Sequence, residues 1–256
     1  MRHAANLSLL YPHLPLVERP AAAAADGFEG AEILFPYGID LDPVRRALDD
    51  AGLAAVLINT PPGRDGERGL AAVPGAEERF DEAFALALHT AQYLGAPRIH
   101  VMAGVVADGV PSAVAVRTLL ANLRRVSPRA TDAGITLTLE GLNRADFPGY
   151  CYATPAAVCA VLAELADPTV RLQFDLYHTA KEGLRARAEI EAARPWIAHV
   201  QIAGPPDRHE PGEHDTDLFD AVAWLAGTGY DGWLGFEYHP AGDTSAGLAW
   251  RRLLPV

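Results

Sequence analysis

Two hydrophobic periods alternate eight times along this chain, and that alternation limits its fold more than any single motif does. Short apolar runs occur at about 4–9 (AANLSL), 30–35 (GAEILF), 53–58 (LAAVLI), 98–102 (RIHVM), 135–140 (ITLTLE), 170–175 (VRLQFD), 197–202 (IAHVQI) and 233–237 (WLGFE). Bounded by Gly, Pro or Asp, they have the length of buried strands. Stretches of helical period fill the intervals, at about 14–26, 41–51, 76–94, 112–132, 154–166, 185–193, 217–227 and 244–254. Asp42-Pro43 opens the second helix and Thr154-Pro155 the fifth, while Gly52, Gly95 and Gly134 stand where helices end. Eight strand–helix units in 256 residues predict an α/β fold with one domain over residues 1–256, a (β/α)8 barrel. The runner-up, a doubly wound open sheet, usually carries a phosphate-binding glycine fingerprint after its first strand. Here the first strand runs into LLYPHLP instead. The long connections, 60–75 and those after the fifth and seventh strands, share one predicted face, and a barrel builds its active site on that face.

Composition narrows the partners. Half of the residues are hydrophobic, which excludes disorder as the main description. A balance of 33 acidic against 21 basic side chains, net charge −12, repels phosphate backbones and anionic membranes, so neither nucleic acid nor membrane is an expected partner. Lys181 is the sole lysine, which leaves Schiff-base chemistry a single candidate. Cys151 and Cys159 are too few for a disulfide framework and read as reduced thiols, as in a cytoplasmic protein. The longest apolar runs stop far short of a membrane span.

The ends of the last four strands carry the chemistry. The fifth run ends at Glu140 and the sixth at Asp175, the seventh carries Gln201, and the eighth ends at Glu237. One acidic residue after an apolar strand is accounted for by a helix cap or a salt bridge. Three carboxylates and a carboxamide on consecutive strands converge at one side of a barrel mouth, and like charges that close need protons or a cation. Four oxygen donors without a nearby cysteine point to a hard divalent ion, Mg²⁺ or Mn²⁺. A nuclease-like zinc cluster would want several histidines at strand ends, and few are there.

The segments GERGLAAVPG (66–75), LEGLNRADFPGY (139–150), FDLYH (174–178), QIAGPPDRHEPG (201–212) and GFEYHP (235–240) resemble the hydroxypyruvate isomerase family, one of the xylose-isomerase-like barrels. The similarity runs from NLSLLY at 6–11 to the last helix. It implies that Glu140, Asp175, Gln201 and Glu237 bind the metal and that Glu140 and Glu237 form the catalytic pair. It also implies the reaction: hydroxypyruvate and 2-hydroxy-3-oxopropanoate interconverted by proton transfer through an enediolate. An isomerase of four-carbon 2-oxo-tetronates shares these motifs. A ketose 3-epimerase would normally place a histidine where Gln201 stands, and a barrel that merely binds a sugar acid has no use for a matched acid–base pair. The chain departs from the family at Gly141, where proline is common, and at His239, where lysine is common; these changes bear on the substrate more than on the metal.

A small anionic sugar acid entering an acidic protein needs local positive charge. Arg208, in the loop after the seventh strand, is the first candidate for its carboxylate, and Arg64 and Arg68 in the loop after the third strand are weaker ones. That loop reads equally as a lid whose charges face water. His178, three residues after Asp175, lies beside the expected metal, and in the wider superfamily a histidine here contacts a substrate oxygen. Asn143 and Asp146 read either as turn formers or as supports for Glu140. His100 and His199 are expected as satisfied core residues, His89, His209 and His214 as solvated ones, and Lys181 as a surface residue beyond the sixth strand. Tyr177, Trp233 and Tyr238 are expected to pack the barrel mouth. Association into a homo-oligomer is compatible with a barrel of this kind.

Overall fold

Parallel strands need a partner on each edge, and eight of them meet that need by closing on themselves. The protein, described over residues 1–254 by a computed structural model, does this with β1 (Arg2–Asn6), β2 (Gly30–Ile33), β3 (Ala54–Asn59), β4 (Arg98–His100), β5 (Thr136–Leu139), β6 (Val170–Asp175), β7 (Ile197–Ile202) and β8 (Trp233–Phe236). Each strand pairs in parallel with the next, and β8 returns to β1 to close the barrel. The eight expected strands are all present, most of them a residue or two shorter than their apolar runs.

The helices follow in turn: α1 (Arg19–Ala25), α2 (Leu41–Ala51), α3 (Glu77–Leu94), α4 (Ser112–Asp132), α5 (Pro155–Leu165), α6 (Leu176–Lys181), α7 (Ala186–Ala193), α8 (Thr216–Gly227) and α9 (Thr244–Gly247). Local chemistry sets their ends. The Asp40 side chain accepts from the Asp42 N–H to open α2, and Gly52 closes it at φ 67°, a left-handed conformation in which a side chain is strained. Thr154 caps α5 through the Ala157 N–H, with Pro155 at a first-turn position where no N–H is required.

Three elements differ from expectation. The first helix starts at Arg19 instead of 14, because Pro15 and Pro20 restrict the chain to a 3-10 turn over Leu16–Glu18 before α1. The last helical stretch is α9 followed by a 3-10 segment, Leu248–Leu253. A further short helix, α6, begins directly after β6.

The main core lies between the outer barrel surface and the surrounding helices, where Phe80 and Phe84 of α3 and Phe174 of β6 are fully buried. Each such side chain contributes about 1.5–3 kcal/mol by leaving water. Inside the barrel the two ends differ. Ala4, Val56, Leu57 and Trp233 form a separate apolar plug near the amino-terminal ends of the strands. Trp233, expected at the mouth, is therefore at the opposite end: it opens β8 in register with Arg2, whose guanidinium lies 4.1 Å over its ring. Above the plug the interior turns polar.

Candidate active site

Glu140 follows β5, Asp175 ends β6, Gln201 lies in β7 and Glu237 follows β8. Asp175 is in register with Gln201, and Gln201 with Gly235. The barrel thus brings the four predicted residues to its carboxyl-terminal end, all at most 6% exposed.

Their free atoms converge. Glu140 Oε1, Asp175 Oδ2 and His178 Nε2 are buried without a hydrogen-bond partner. Glu140, Asp175 and His178 each offer a ligand-type atom within 4.8 Å of the others. Buried polar atoms are rarely left unpaired, so an orphaned carboxylate pair of this kind fits a divalent cation. The other oxygens are occupied. Asp175 Oδ1 accepts from the N–H groups of Tyr177 (2.6 Å) and His178 (3.2 Å), which makes Asp175 the cap of α6. Glu140 Oε2 accepts from Gln173 Nε2 at 2.9 Å.

His178 points the same way with a defined proton. The Asn143 backbone N–H donates to its Nδ1 at 3.2 Å, and Asn143 Nδ2 lies 2.7 Å from the same nitrogen. Nδ1 is therefore the acceptor and Nε2 carries the hydrogen. Nε2 lies 3.8 Å from both Glu140 Oε1 and Asp175 Oδ2. Burial, with Arg208 nearby, holds the imidazole well below its ordinary pKa, so it is a neutral donor aimed into the cavity. The Asn143 amide also donates to Asp146 Oδ2 at 2.9 Å, and Asp146 accepts from the Tyr177 hydroxyl at 2.6 Å. Asn143 and Asp146 thus form a turn that orients His178 and have no direct bond to Glu140.

Arg208 enters this acidic centre from the β7–α8 loop with φ 58°, an unusual conformation for a residue with a side chain. Its Nη2 donates to Glu237 Oε1 at 2.7 Å and lies 3.7 Å from Asp175 Oδ2. The guanidinium stacks 5.3 Å over the Tyr177 ring. Burial works against its charge, but Glu237, Asp175 and Glu140 outweigh that and raise its pKa further. Burial pushes Glu237 up to about 8 against the pull of Arg208. Glu140 rises well above the carboxylate range through burial and then Glu237 and Asp175, and Asp175 rises mainly through burial. Burial and mutual repulsion thus favour the protonated forms of these carboxyls, and Arg208 offsets this only in part.

A cavity of about 260 Å³ opens over these residues and is lined in part by Asn59, Arg68, His100, Phe147 and Arg208. Arg68 reaches it from an exposed position. Arg64 is exposed outside its lining, and its backbone N–H donates to Glu67. The loop carrying both is held at its second half, where Gly69 N–H donates to Pro62 O at 2.8 Å and Ala72 N–H to Ala103 O at 2.7 Å. Lys181 lies part-exposed at the surface beyond β6, where it donates to Pro206 O at 3.0 Å and sits 3.5 Å from Asp146.

Below the carboxylates lies a network that the strand-end reading passed over. Gln201 Nε2 donates to Glu32 Oε2 at 2.8 Å, and Gln201 Oε1 accepts from Gln173 Nε2 at 2.7 Å. Glu32 also accepts from Asn6 Nδ2 (3.2 Å) and pairs with His199 Nε2 at 2.6 Å, all of them fully buried. Thr138 holds the far end of Gln173 at 2.9 Å. The carboxylate fixes the Gln201 amide with its oxygen toward the Gln173–Glu140 side, leaving that oxygen one further lone pair. Glu32, like Glu140, is an acidic residue in an apolar run (GAEILF), so the same signal was available for it. His100 also departs from expectation. It is buried, but neither ring nitrogen has a partner, and its Nδ1 stands 3.4 Å from Glu140 Oε2.

The chain matches the xylose isomerase-like TIM barrel family over residues 20–254. It is 40% identical over 254 residues to a 2-oxo-tetronate isomerase of Cupriavidus necator, covering 97% of this chain and 96% of the relative. It is 33% identical to the hydroxypyruvate isomerase of Escherichia coli, covering 98% of both. Among solved structures, one described as an AP endonuclease, family 2, from Brucella melitensis superposes with a TM-score of 0.91 at 39% identity, covering 98% of both chains.

Proposed function

The chain belongs to the xylose isomerase-like TIM barrel family, and from that premise we propose that it is a metal-dependent isomerase of small 2-oxo acids. It shifts a carbonyl between adjacent carbons of hydroxypyruvate, giving 2-hydroxy-3-oxopropanoate, or of the four-carbon 2-oxo-tetronate. The observation that carries this reading is the convergence of two buried glutamates, Glu140 and Glu237, with orphaned Glu140 and Asp175 oxygens, a neutral His178 donor and the Arg208 guanidinium at one cavity.

Glu140, Asp175, Glu237 and the free lone pair of Gln201 would hold Mg²⁺ or Mn²⁺. Such an ion acts as a Lewis acid toward the negative charge that builds on the two substrate oxygens. The chain does the rest. Glu140 and Glu237 exchange protons with the two reacting carbons, one taking a proton next to the carbonyl and the other returning one to the neighbouring carbon. His178 Nε2–H donates to a developing oxyanion without adding full charge. Arg208 supplies the cation for the substrate carboxylate, with Arg68 at the rim as a second one. A nuclease reading is disfavoured: the cluster able to hold an ion has His178 as its one histidine beside the carboxylates of Glu140 and Asp175, inside a chain of net charge −12.

The test is an assay of hydroxypyruvate and 2-oxo-tetronate in deuterated water, on protein stripped with a chelator and then supplied with Mg²⁺ or Mn²⁺. The reading expects metal-restored isomerisation with deuterium entering at carbon. Isomerisation indifferent to metal would overturn the metal assignment, and turnover of neither acid would overturn the activity.

A further inference from the structure

One wall of the cavity has no part in the chemistry above. Asn59 and His100 are the last residues of β3 and β4, paired in register, and both line the cavity that holds Glu140, His178, Arg208 and Glu237. They are 5% and 1% exposed. Their polar atoms are nevertheless idle. Asn59 Oδ1 and both ring nitrogens of His100 lack partners, and Asn59 Nδ2 reaches only the Met102 thioether at 3.8 Å. A thioether is a weak acceptor, so the amide has a donor and an acceptor to offer whichever way round it lies. A neutral imidazole adds one of each. Leaving such a set unpaired costs free energy that a matching group recovers on binding.

The identity of that group follows from charge and from donor count. A carboxylate brings acceptors alone, and here it would press against Glu140, whose Oε2 stands 3.4 Å from His100 Nδ1. A hydroxyl donates and accepts. The cation buried within the site, Arg208, sits 2.7 Å from Glu237 after β8, away from the β3–β4 wall, and Arg68 reaches the cavity only from an exposed position at its rim. We propose that Asn59 and His100 form a subsite for a neutral hydroxymethyl group, so that the preferred substrate is a four-carbon 2-oxo acid rather than hydroxypyruvate.

This inference rests on the isomerase reading of the same site. In the four-carbon acid a proton leaves C3 and one returns to C2 as the carbonyl moves from C2 to C3. The C1 carboxylate and the C4 hydroxymethyl are unchanged, and no oxidant or reductant is consumed. In hydroxypyruvate C3 is the chain end, so nothing extends into the subsite.

The test compares kcat/KM for the two acids in the metal-loaded wild type, Asn59→Leu and His100→Phe, with Asn59→Ala as a second variant where the larger apolar side chain prevents folding. The wild type is expected to favour the four-carbon acid by about tenfold or more, and each substitution to lower that ratio at least as far, since a site built to pair a hydroxyl loses much when the pairing goes. A wild type that turns over hydroxypyruvate equally well or better overturns the inference and leaves the isomerase reading standing. Substitutions that depress both acids in the same proportion overturn it too, because they mark a carboxylate site or a support for Glu140. Turnover of neither acid overturns the isomerase reading and this inference together.

Discussion

Asp175 divides its carboxylate between two tasks. Oδ1 caps α6 through the Tyr177 and His178 N–H groups, and Oδ2 is left bare toward Glu140 and His178. The two tasks separate by mutation. Asp175→Asn keeps an acceptor for the cap but loses the charge, so Mn²⁺ affinity should fall by more than tenfold with little loss of stability. Asp175→Ala should lose the affinity and a further ~0.5–2 kcal/mol of stability, the usual worth of a cap. Titration with Mn²⁺ and urea melts of the metal-free variants check both halves; an Asn variant as unstable as the Ala variant would contradict the division. The glutamates are tested by charge alone. Glu140→Gln and Glu237→Gln should each lower turnover by ~10²–10⁴-fold while the protein stays folded. Near-normal turnover in both, with metal bound, would remove them from the chemistry.

Elements position these atoms. The barrel register sets Asp175 beside Gln201 and Gln201 beside Gly235, and Gly235 is where the packing is tightest. A Cβ there would lie 1.9 Å from Glu32 Oε1 and 3.0 Å from Gln201 Cγ. Glu32 cannot swing aside, because Asn6 of β1 and His199 and Gln201 of β7 hold it from two strands. Gly235→Ala should therefore cost ~1–3 kcal/mol by overpacking and weaken Mn²⁺ binding through the displaced Gln201. A urea melt reads the first effect and a Mn²⁺ titration the second. Unchanged metal affinity would show that the Glu32 network does not orient Gln201. α6 was absent from expectation because six residues after a strand carry no helical period long enough to see. Its capping residue, by contrast, was already singled out for another reason.

For the whole molecule, the buried titratable groups pull stability in opposite directions with pH. Glu237, raised to about 8 mainly by burial, and Glu140 and Asp175, also raised, favour the folded state below the ordinary carboxylate pKa. That contribution is lost as pH climbs through about 8. His100, lowered to about 3 by burial and then His199, works the other way: the unfolded chain binds its proton first, so stability is lost as pH falls from about 6.5 toward 3. The metal-free protein should be most stable between these limbs, in mildly acidic solution, and thermal melts from pH 4 to 9 check this. Added Mn²⁺ must displace the carboxylate protons, so its stabilising shift should grow from pH 6 to 8.5. At one hundred times Kd the gain is about 2.7 kcal/mol. A shift independent of pH would place the ion elsewhere.

Periodicity alone determined the barrel, because apolar runs that alternate with amphipathic helices leave few ways to bury both faces of a sheet. It also exposed Glu140, Asp175 and Glu237, and Gln201 on the strand between them, since a charge at the end of an apolar strand, or a carboxamide within one, violates the local pattern. Tertiary structure decided what no local pattern encodes. Glu32 and Gln201 are 169 positions apart and hydrogen-bonded. Trp233 plugs the bottom of the barrel instead of packing its mouth, and Asn59 and His100 face the cavity with nothing to pair with. Whether a buried polar atom is satisfied depends on partners contributed by other strands, and closing the barrel is what brings those strands together.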